Sequence, residues 1–381
     1  MGNKPYTVRA ERGACTWESL FMKSLALPTT SHRYMCSWLF GRNTDLIFFF
    51  LPVLYGVMLF VLAQAVSFNT NPLIFLLALD AFGAGPLHLG PTLFVYLDKK
   101  NRNYWNSANT RRFIFFMGPA LVILLSVLLN VYATWLGQLV ALTWSIQHIV
   151  QQNCGILLLY HDKSNGEAVV DRKIEMRSQQ IPAIVFSLFY FYRLYLTSFD
   201  SIYWKVFFAG LATIAVYSVA RYLWELWKQV RTGALINLPA MAFWFVSVIS
   251  FMPFAFFGKN YGDAILIPVT IHWCQYLGLN FNLVKNKYAD ENQVGNLPAI
   301  AAVPLFLLAC LSVMGIWFVF KFGSVFLGGG LIPSILGGVV MGISNTHFML
   351  DAFLWRFRDS FVRESTLPYL MQYRRKAQAP A

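Results

Sequence analysis

The chain has 381 residues, of which 57% are hydrophobic and only 12% charged, with a mean hydropathy of +0.53. Soluble domains carry about 25% charged residues, so this composition excludes an ordinary soluble enzyme and places the chain among membrane proteins. The formal net charge of +13 does not imply a nucleic-acid partner, because the cations cluster at the ends of apolar segments, where anionic lipid headgroups lie.

Residues 1–44 are mixed polar and basic. They have no apolar core followed by a small-residue cleavage site, so a cytoplasmic basic segment is expected, not a cleaved signal. Met1-Gly2 begins like a myristoylation signal, but Tyr6 stands where that signal has Ser or Thr. Ten stretches then reach the roughly 20 apolar residues that cross a bilayer: 45–68, 73–97, 113–135, 136–160, 180–198, 202–222, 238–257, 264–284, 297–320 and 325–355. None alternates polar and apolar residues as a membrane barrel strand does. The expected fold is therefore all-α, a polytopic membrane helix bundle occupying 45–357, followed by a cytoplasmic basic tail over 358–381.

With the N-terminus placed inside, all of the 30 Lys and Arg fall on the cytoplasmic side except Arg193, Lys205, Lys259 and Lys321. That is the positive-inside rule, and it puts both termini in the cytoplasm, most simply that of a bacterium with the protein in its inner membrane. The outside loops are short, for example Asn69–Asn71 and Gly258–Asp263. The longest inside loop, His161–Gln179, reads as polar and mobile. The cysteines Cys15, Cys36, Cys154, Cys274 and Cys310 have no paired spacing, which argues against a disulfide framework or a thiolate zinc site.

Four histidines interrupt the apolar segments: His88, His148, His272 and His347, on the second, fourth, eighth and tenth expected spans. The first following cations are Lys99, Lys163, Lys285 and Arg356, which at 1.5 Å per residue puts every imidazole ~14–22 Å from the cytoplasmic boundary. Intramembrane ionisable residues mark functional sites, and four at one depth point to one site. His32 and His161 lie in hydrophilic segments and read as ordinary surface residues.

Polar side chains follow three of the four within one turn: Gln151 and Gln152 after His148, Gln275 after His272, Asp351 after His347. Residues three or four apart share a helix face, so Gln151 and Gln275 are expected to orient imidazoles. Thr92 follows His88, and Asp80 precedes it across Gly83-Ala84-Gly85-Pro86, a run that should kink or break the helix. A break of that kind can carry Asp80 toward the site. A single buried histidine is commonly an interhelical hydrogen-bond donor. Four in one layer, beside a carboxylate, point to ligands. Histidines with a carboxylate fit iron or zinc better than copper. The expected centre is thus a transition metal, iron favoured, held by His88, His148, His272, His347 and Asp351, the aspartate serving as ligand or proton acceptor. One octahedral ion or two ions both satisfy the sequence. Haem, ligated by pairs of histidines on facing helices, is the second expectation. A proton or metal pathway through Asp80 and the histidines, as in a transporter, is the third. Trp144, Trp273, Phe348 and Trp355 are expected to line the pocket.

His272-Trp273-Cys274-Gln275-Tyr276 and His347-Phe348-Met349-Leu350-Asp351-Ala352-Phe353-Leu354-Trp355-Arg356 resemble motifs of a group of bacterial polytopic membrane proteins with no established activity. Gly85-Pro86-Leu87-His88 is similar to the Gly-Leu-Pro-His pattern of the retinal-forming β-carotene dioxygenases, with Leu and Pro interchanged and the following Asp missing. That likeness implies membrane metal chemistry. The placing of histidines on the second and fourth members of two four-helix sets resembles the plan of haem A synthase, without its Glu-containing motifs.

The sequence contains no HxxxH, DxxxD, HExxH or GxSxG pattern, which argues against the usual desaturase, prenyltransferase, metalloprotease and serine hydrolase arrangements. The expected function is an iron-dependent oxidative membrane enzyme acting on a lipid or isoprenoid that enters from the bilayer, with membrane lipids as partners and no nucleic acid.

Overall fold

The computed structural model describes residues 34–66, 85–164, 169–195, 201–251, 261–288 and 299–371. Over these the chain is all-α apart from a two-residue parallel pairing of Tyr34–Met35 with Ile236–Asn237. The α-helices of five or more residues, in chain order, are α1 (Leu51–Val66), α2 (Gly90–Phe94), α3 (Lys99–Asn106), α4 (Gly118–Tyr132), α5 (Thr134–Lys163), α6 (Arg172–Tyr195), α7 (Ile202–Arg231), α8 (Leu238–Ile249), α9 (Tyr261–Tyr288), α10 (Ala299–Phe326), α11 (Leu331–Leu354) and α12 (Ser360–Leu370). A π-helical turn precedes α1 at Leu46–Phe50 and another precedes α4 at Phe113–Met117.

Among the described residues, five helical stretches are long and apolar enough to cross a membrane: Arg42–Ala63, Asn109–Tyr132, Ile202–Arg231, Ala301–Phe326 and Leu331–Leu354. Helices α5 and α9 are as long, at 30 and 28 residues, but more polar. In α9 the polar residues His272, Gln275 and Asn280 are buried, while α5 buries His148 and Asn153 but exposes Gln138, Gln147 and Gln151. The outward faces are apolar: Leu121, Leu124 and Leu125 on α4, Val206, Ile214 and Val216 on α7, and Leu307, Leu311 and Val319 on α10 are exposed.

The break expected near Gly83–Pro86 is present in its described part. Gly85 and Pro86 form a turn, Leu87–Leu89 a 3₁₀ turn, and Val95–Leu97 a second 3₁₀ turn after the five-residue α2. Proline at 86 and again at 91 removes backbone donors and explains why no long helix forms there. Asp80, His32, and the loops at Asn69–Asn71 and Gly258–Asp263 lie in whole or part outside the described residues.

Helix α11 makes its most extensive contact with α4. A Cβ at Gly338 would lie 2.6 Å from the Val127 Cα, and one at Gly342 would lie 2.7 Å from the Ile123 Cα. This spacing of small residues four apart lets two backbones touch. It fixes the height of α11, which carries His347 and Asp351.

Two expectations about the hydrophilic segments are corrected. The 161–179 segment is mostly helix, since α5 runs to Lys163 and α6 starts at Arg172, and Glu175, Ser178 and Gln179 are buried. His161 is not an ordinary surface residue: its Nε2 lies 3.0 Å from Glu175 Oε1, and the Tyr222 hydroxyl donates to the same carboxylate at 3.3 Å. Beyond 358, Asp359 caps α12 by accepting from the Phe361 and Val362 N–H groups, and Leu370 and Met371 are packed into the core. In each case a polar residue that looks solvated in sequence instead satisfies a buried backbone or side-chain donor.

Candidate metal centre

Helices α5, α9 and α11 bring His148, His272 and His347 inward, and the 3₁₀ turn before α2 adds His88. All four imidazoles are buried. Ring centres are 4.9 Å apart for His88–His347, 5.3 Å for His88–His272, 4.9 Å for His148–His272 and 5.1 Å for His148–His347. His272 and His347 face each other across this ring at 6.5 Å. Four residues spread over 260 positions of sequence thus form one closed cluster.

Asp351, also buried, completes it. Its Oδ2 is 3.7 Å from His148 Nε2, and its Oδ1 is 3.8 Å from His347 Nδ1. Oδ1 also accepts a 2.7 Å hydrogen bond from the Tyr276 hydroxyl. Two overlapping triads bring their ligand atoms within 4.8 Å of one another: His88, His272 and His347, and His148, His347 and Asp351.

The outer hydrogen bonds decide which atoms face inward. His88 Nδ1 pairs with the Gly85 carbonyl, which can only accept, so Nδ1 carries the proton and Nε2 keeps its lone pair. His347 Nδ1 shares a 2.7 Å hydrogen bond with the Thr92 hydroxyl. This pattern, with one ring nitrogen tied to an outer partner and the other free, is the one found around metal-bound histidines. His88 Nε2, His148 Nε2, both nitrogens of His272, His347 Nε2 and Asp351 Oδ2 are buried with no hydrogen-bond partner. Buried polar atoms are paired in the great majority of cases, so this concentration of lone donors and acceptors in one place suits a cation.

Not every expected residue joins the cluster. Gln151 is exposed on α5, one turn from the exposed Gln147 on the outward stripe, so its role in orienting an imidazole is withdrawn. Gln152, one residue on, has both amide atoms buried without partners. Gln275 is fully buried and its amide atoms also lack partners. Asp80 falls outside the described residues. Of the four aromatics, Trp273 lies 5.8 Å from the His88 ring and Phe348 4.8 Å from the His148 ring. Trp144 meets Phe348 at 6.2 Å, while Trp355 lies 6.3 Å from Tyr276 and its side chain also interacts with Asp351.

Tyr276 and the true partner of Thr92 were not found from sequence. Tyr276 follows His272 by four residues, the spacing that selected Asp351 beside His347, but one tyrosine among 18 carries no separate signal. Thr92 has the right spacing from His88, yet it serves His347 on another helix. Comparison with protein-family models, with curated proteins and with solved structures finds no match, so the reading of this centre rests on its own geometry.

Proposed function

We propose that the protein is a multi-pass membrane metalloprotein whose centre is a transition-metal ion held by His88, His148, His272, His347 and Asp351. The carrying observation is the convergence of four buried imidazoles and a carboxylate whose inward atoms have no partner. A single ion is preferred to two. The triads share His347, whose Nδ1 is taken by Thr92, and the one remaining ring nitrogen serves one ion. The nitrogen-rich set with one carboxylate favours iron or zinc. A non-haem ion is preferred to haem, because the imidazoles pack against each other at 4.9–5.3 Å and leave no flat slot between them.

The membrane reading is supported by the apolar outward faces around a polar interior, the arrangement that a hydrocarbon solvent selects, and by the one-sided distribution of Lys and Arg. On it, about ten spans run with both ends in the cytoplasm, in a bacterial inner membrane. A centre sealed among such helices is reached from the bilayer, which favours a lipid or isoprenoid substrate and, with iron, oxidative chemistry. Asp351 then acts as fifth ligand or proton acceptor.

The test is metal analysis with an optical spectrum of full-length, detergent-purified protein. One transition-metal ion per chain without a Soret band is expected, lost in the H272A/H347A variant. Metal-free wild-type protein that fails to take up added iron or zinc overturns the centre.

A further inference from the structure

A cavity of about 220 Å³, whose lining includes Arg111, Lys287 and Arg356, shares a wall with the centre. Two lining residues reach the centre: Tyr276, whose hydroxyl donates to Asp351, and Trp355, whose side chain also interacts with Asp351. The walls are aromatic: Trp105 and Phe115 stack at 4.4 Å, with Phe353 6.1 Å from Phe115. The outer end is cationic, lined by Arg111, Lys287 and Arg356.

The acidic groups at this mouth are already engaged. Asp98 accepts from Lys287 at 2.9 Å and from the Tyr288 hydroxyl at 2.7 Å, and Asp359 accepts from the Tyr104 hydroxyl at 2.6 Å. Arg111 touches the Ser107 hydroxyl and sits over the Tyr104 ring, and Arg356 lies 5.5 Å from the Phe353 ring centre. Among the described residues no carboxylate lies within 4.0 Å of either guanidinium, although the Arg111 charge acts on Asp359, which lines the same cavity. Two guanidinium groups at the end of an aromatic channel match an anionic head on an apolar chain.

We propose that this cavity binds an anionic amphiphile, a phosphate or carboxylate head between Arg111 and Arg356 with its chain running past Trp105 and Phe115 to Tyr276. The inference rests on the metal-centre reading and names its substrate class. From Lys287 at the mouth to Tyr276 is 11 residues of α9, or ~16 Å of helix. The position presented to the centre is therefore well down the chain and not at the head. The head stays at the cytoplasmic headgroup level, where a lipid of that leaflet already holds it.

The experiment measures equilibrium binding of radiolabelled dodecyl phosphate to full-length protein in neutral detergent. Dodecanol and inorganic phosphate serve as competitors, and dioleoyl phosphatidate in nanodiscs is a parallel arm. One saturable site per chain is expected, with either unlabelled phosphate amphiphile displacing the label at least tenfold better than dodecanol or inorganic phosphate. The R111Q/R356Q variant should bind at least tenfold more weakly with an unchanged helical circular-dichroism spectrum. Arg356 is exposed, so R356Q alone, with a smaller loss in the same direction, covers the case in which the double variant fails to fold. Displacement by dodecyl phosphate alone assigns a free single-chain amphiphile, and displacement by phosphatidate assigns a bilayer lipid. Equal displacement by dodecanol, or undiminished binding in both variants, overturns the proposal. Metal content of the same preparations separates the two readings, since arginine-dependent binding by metal-free protein keeps the cavity and rejects the centre. Metal-loaded protein without such binding does the reverse.

Discussion

The Tyr276 hydroxyl and the Asp351 carboxylate join α9 to α11 through a 2.7 Å hydrogen bond buried beside four imidazoles. Outer partners of metal ligands typically contribute about 10–100-fold to metal affinity. Y276F removes the donor and keeps the ring, so it should weaken metal binding about tenfold while leaving one ion per chain at saturation. Competition against a chromophoric chelator reads this directly, and an unchanged affinity would remove Tyr276 from the centre.

Thr92 makes the corresponding contact to His347 at 2.7 Å. T92V should lower metal affinity by roughly tenfold, and T92S, which restores a hydroxyl, should recover most of it. Q151A supplies the control: its side chain is exposed, and its metal affinity should match the wild type. A loss in Q151A equal to that in T92V would contradict the placement of both residues.

The α4–α11 contact predicts a stability effect away from the metal. At Gly342 an added methyl meets the Ile123 Cα at 2.7 Å, which is backbone and cannot swing aside. G342A should destabilise by ~1–3 kcal/mol, the usual range for overpacking. Thermal unfolding in detergent measures it, and a melting temperature equal to the wild type would show that the two backbones are not in contact.

Acid sensitivity should reside at Asp98. Burial pushes its carboxyl up, but the Lys287 ammonium, the Tyr288 hydroxyl and the Lys100 N–H outweigh burial and hold it below the ordinary carboxylate value. A depressed folded-state value means that the stabilisation is complete above the unfolded value, about 3.9. It is lost as pH falls through the lower folded value. At neutral pH D98N should be less stable than wild type by ~1–3 kcal/mol. The gap should stay constant from pH 5 to 8 and close only below about pH 4. A gap that closes between pH 6 and 8 would assign it to another group.

The four histidines were legible because burial of an imidazole leaves two marks in sequence, an apolar surround and a similar separation, 9–15 residues, from the next cation. Asp351 was legible for the same reason, standing one turn from His347. Gln151 was misread because residues three and four onward both approach the same face, and the stripe shared with Gln147 turns the first of them outward. The contact of Thr92 with His347 left no mark, because spacing along one segment says nothing of contacts between helices, and the chain around His88 winds partly as 3₁₀ helix. The buried carboxylates Asp45, Asp98 and Glu175 left no mark at all. Each sits in a segment rich in charge, and only the folded chain reveals that Asp45 accepts from the Leu39 and Phe40 N–H groups and from Tyr160. The helical architecture followed from apolar length, while the buried polarity of α5 and α9 followed from what they enclose.

His88 differs from its partners in what holds it. The other three imidazoles stand on helices of 30, 28 and 24 residues, whereas His88 rides on a three-residue turn with Pro86 before it and Pro91 after it. Such a turn has few internal hydrogen bonds to lose. On the proposed reading, an ion would be held by three imidazoles set by long helices and by a fourth whose position depends on how a short, proline-flanked turn packs, with Gly90 against the Cys310 backbone and Gly85 against the Trp273 ring.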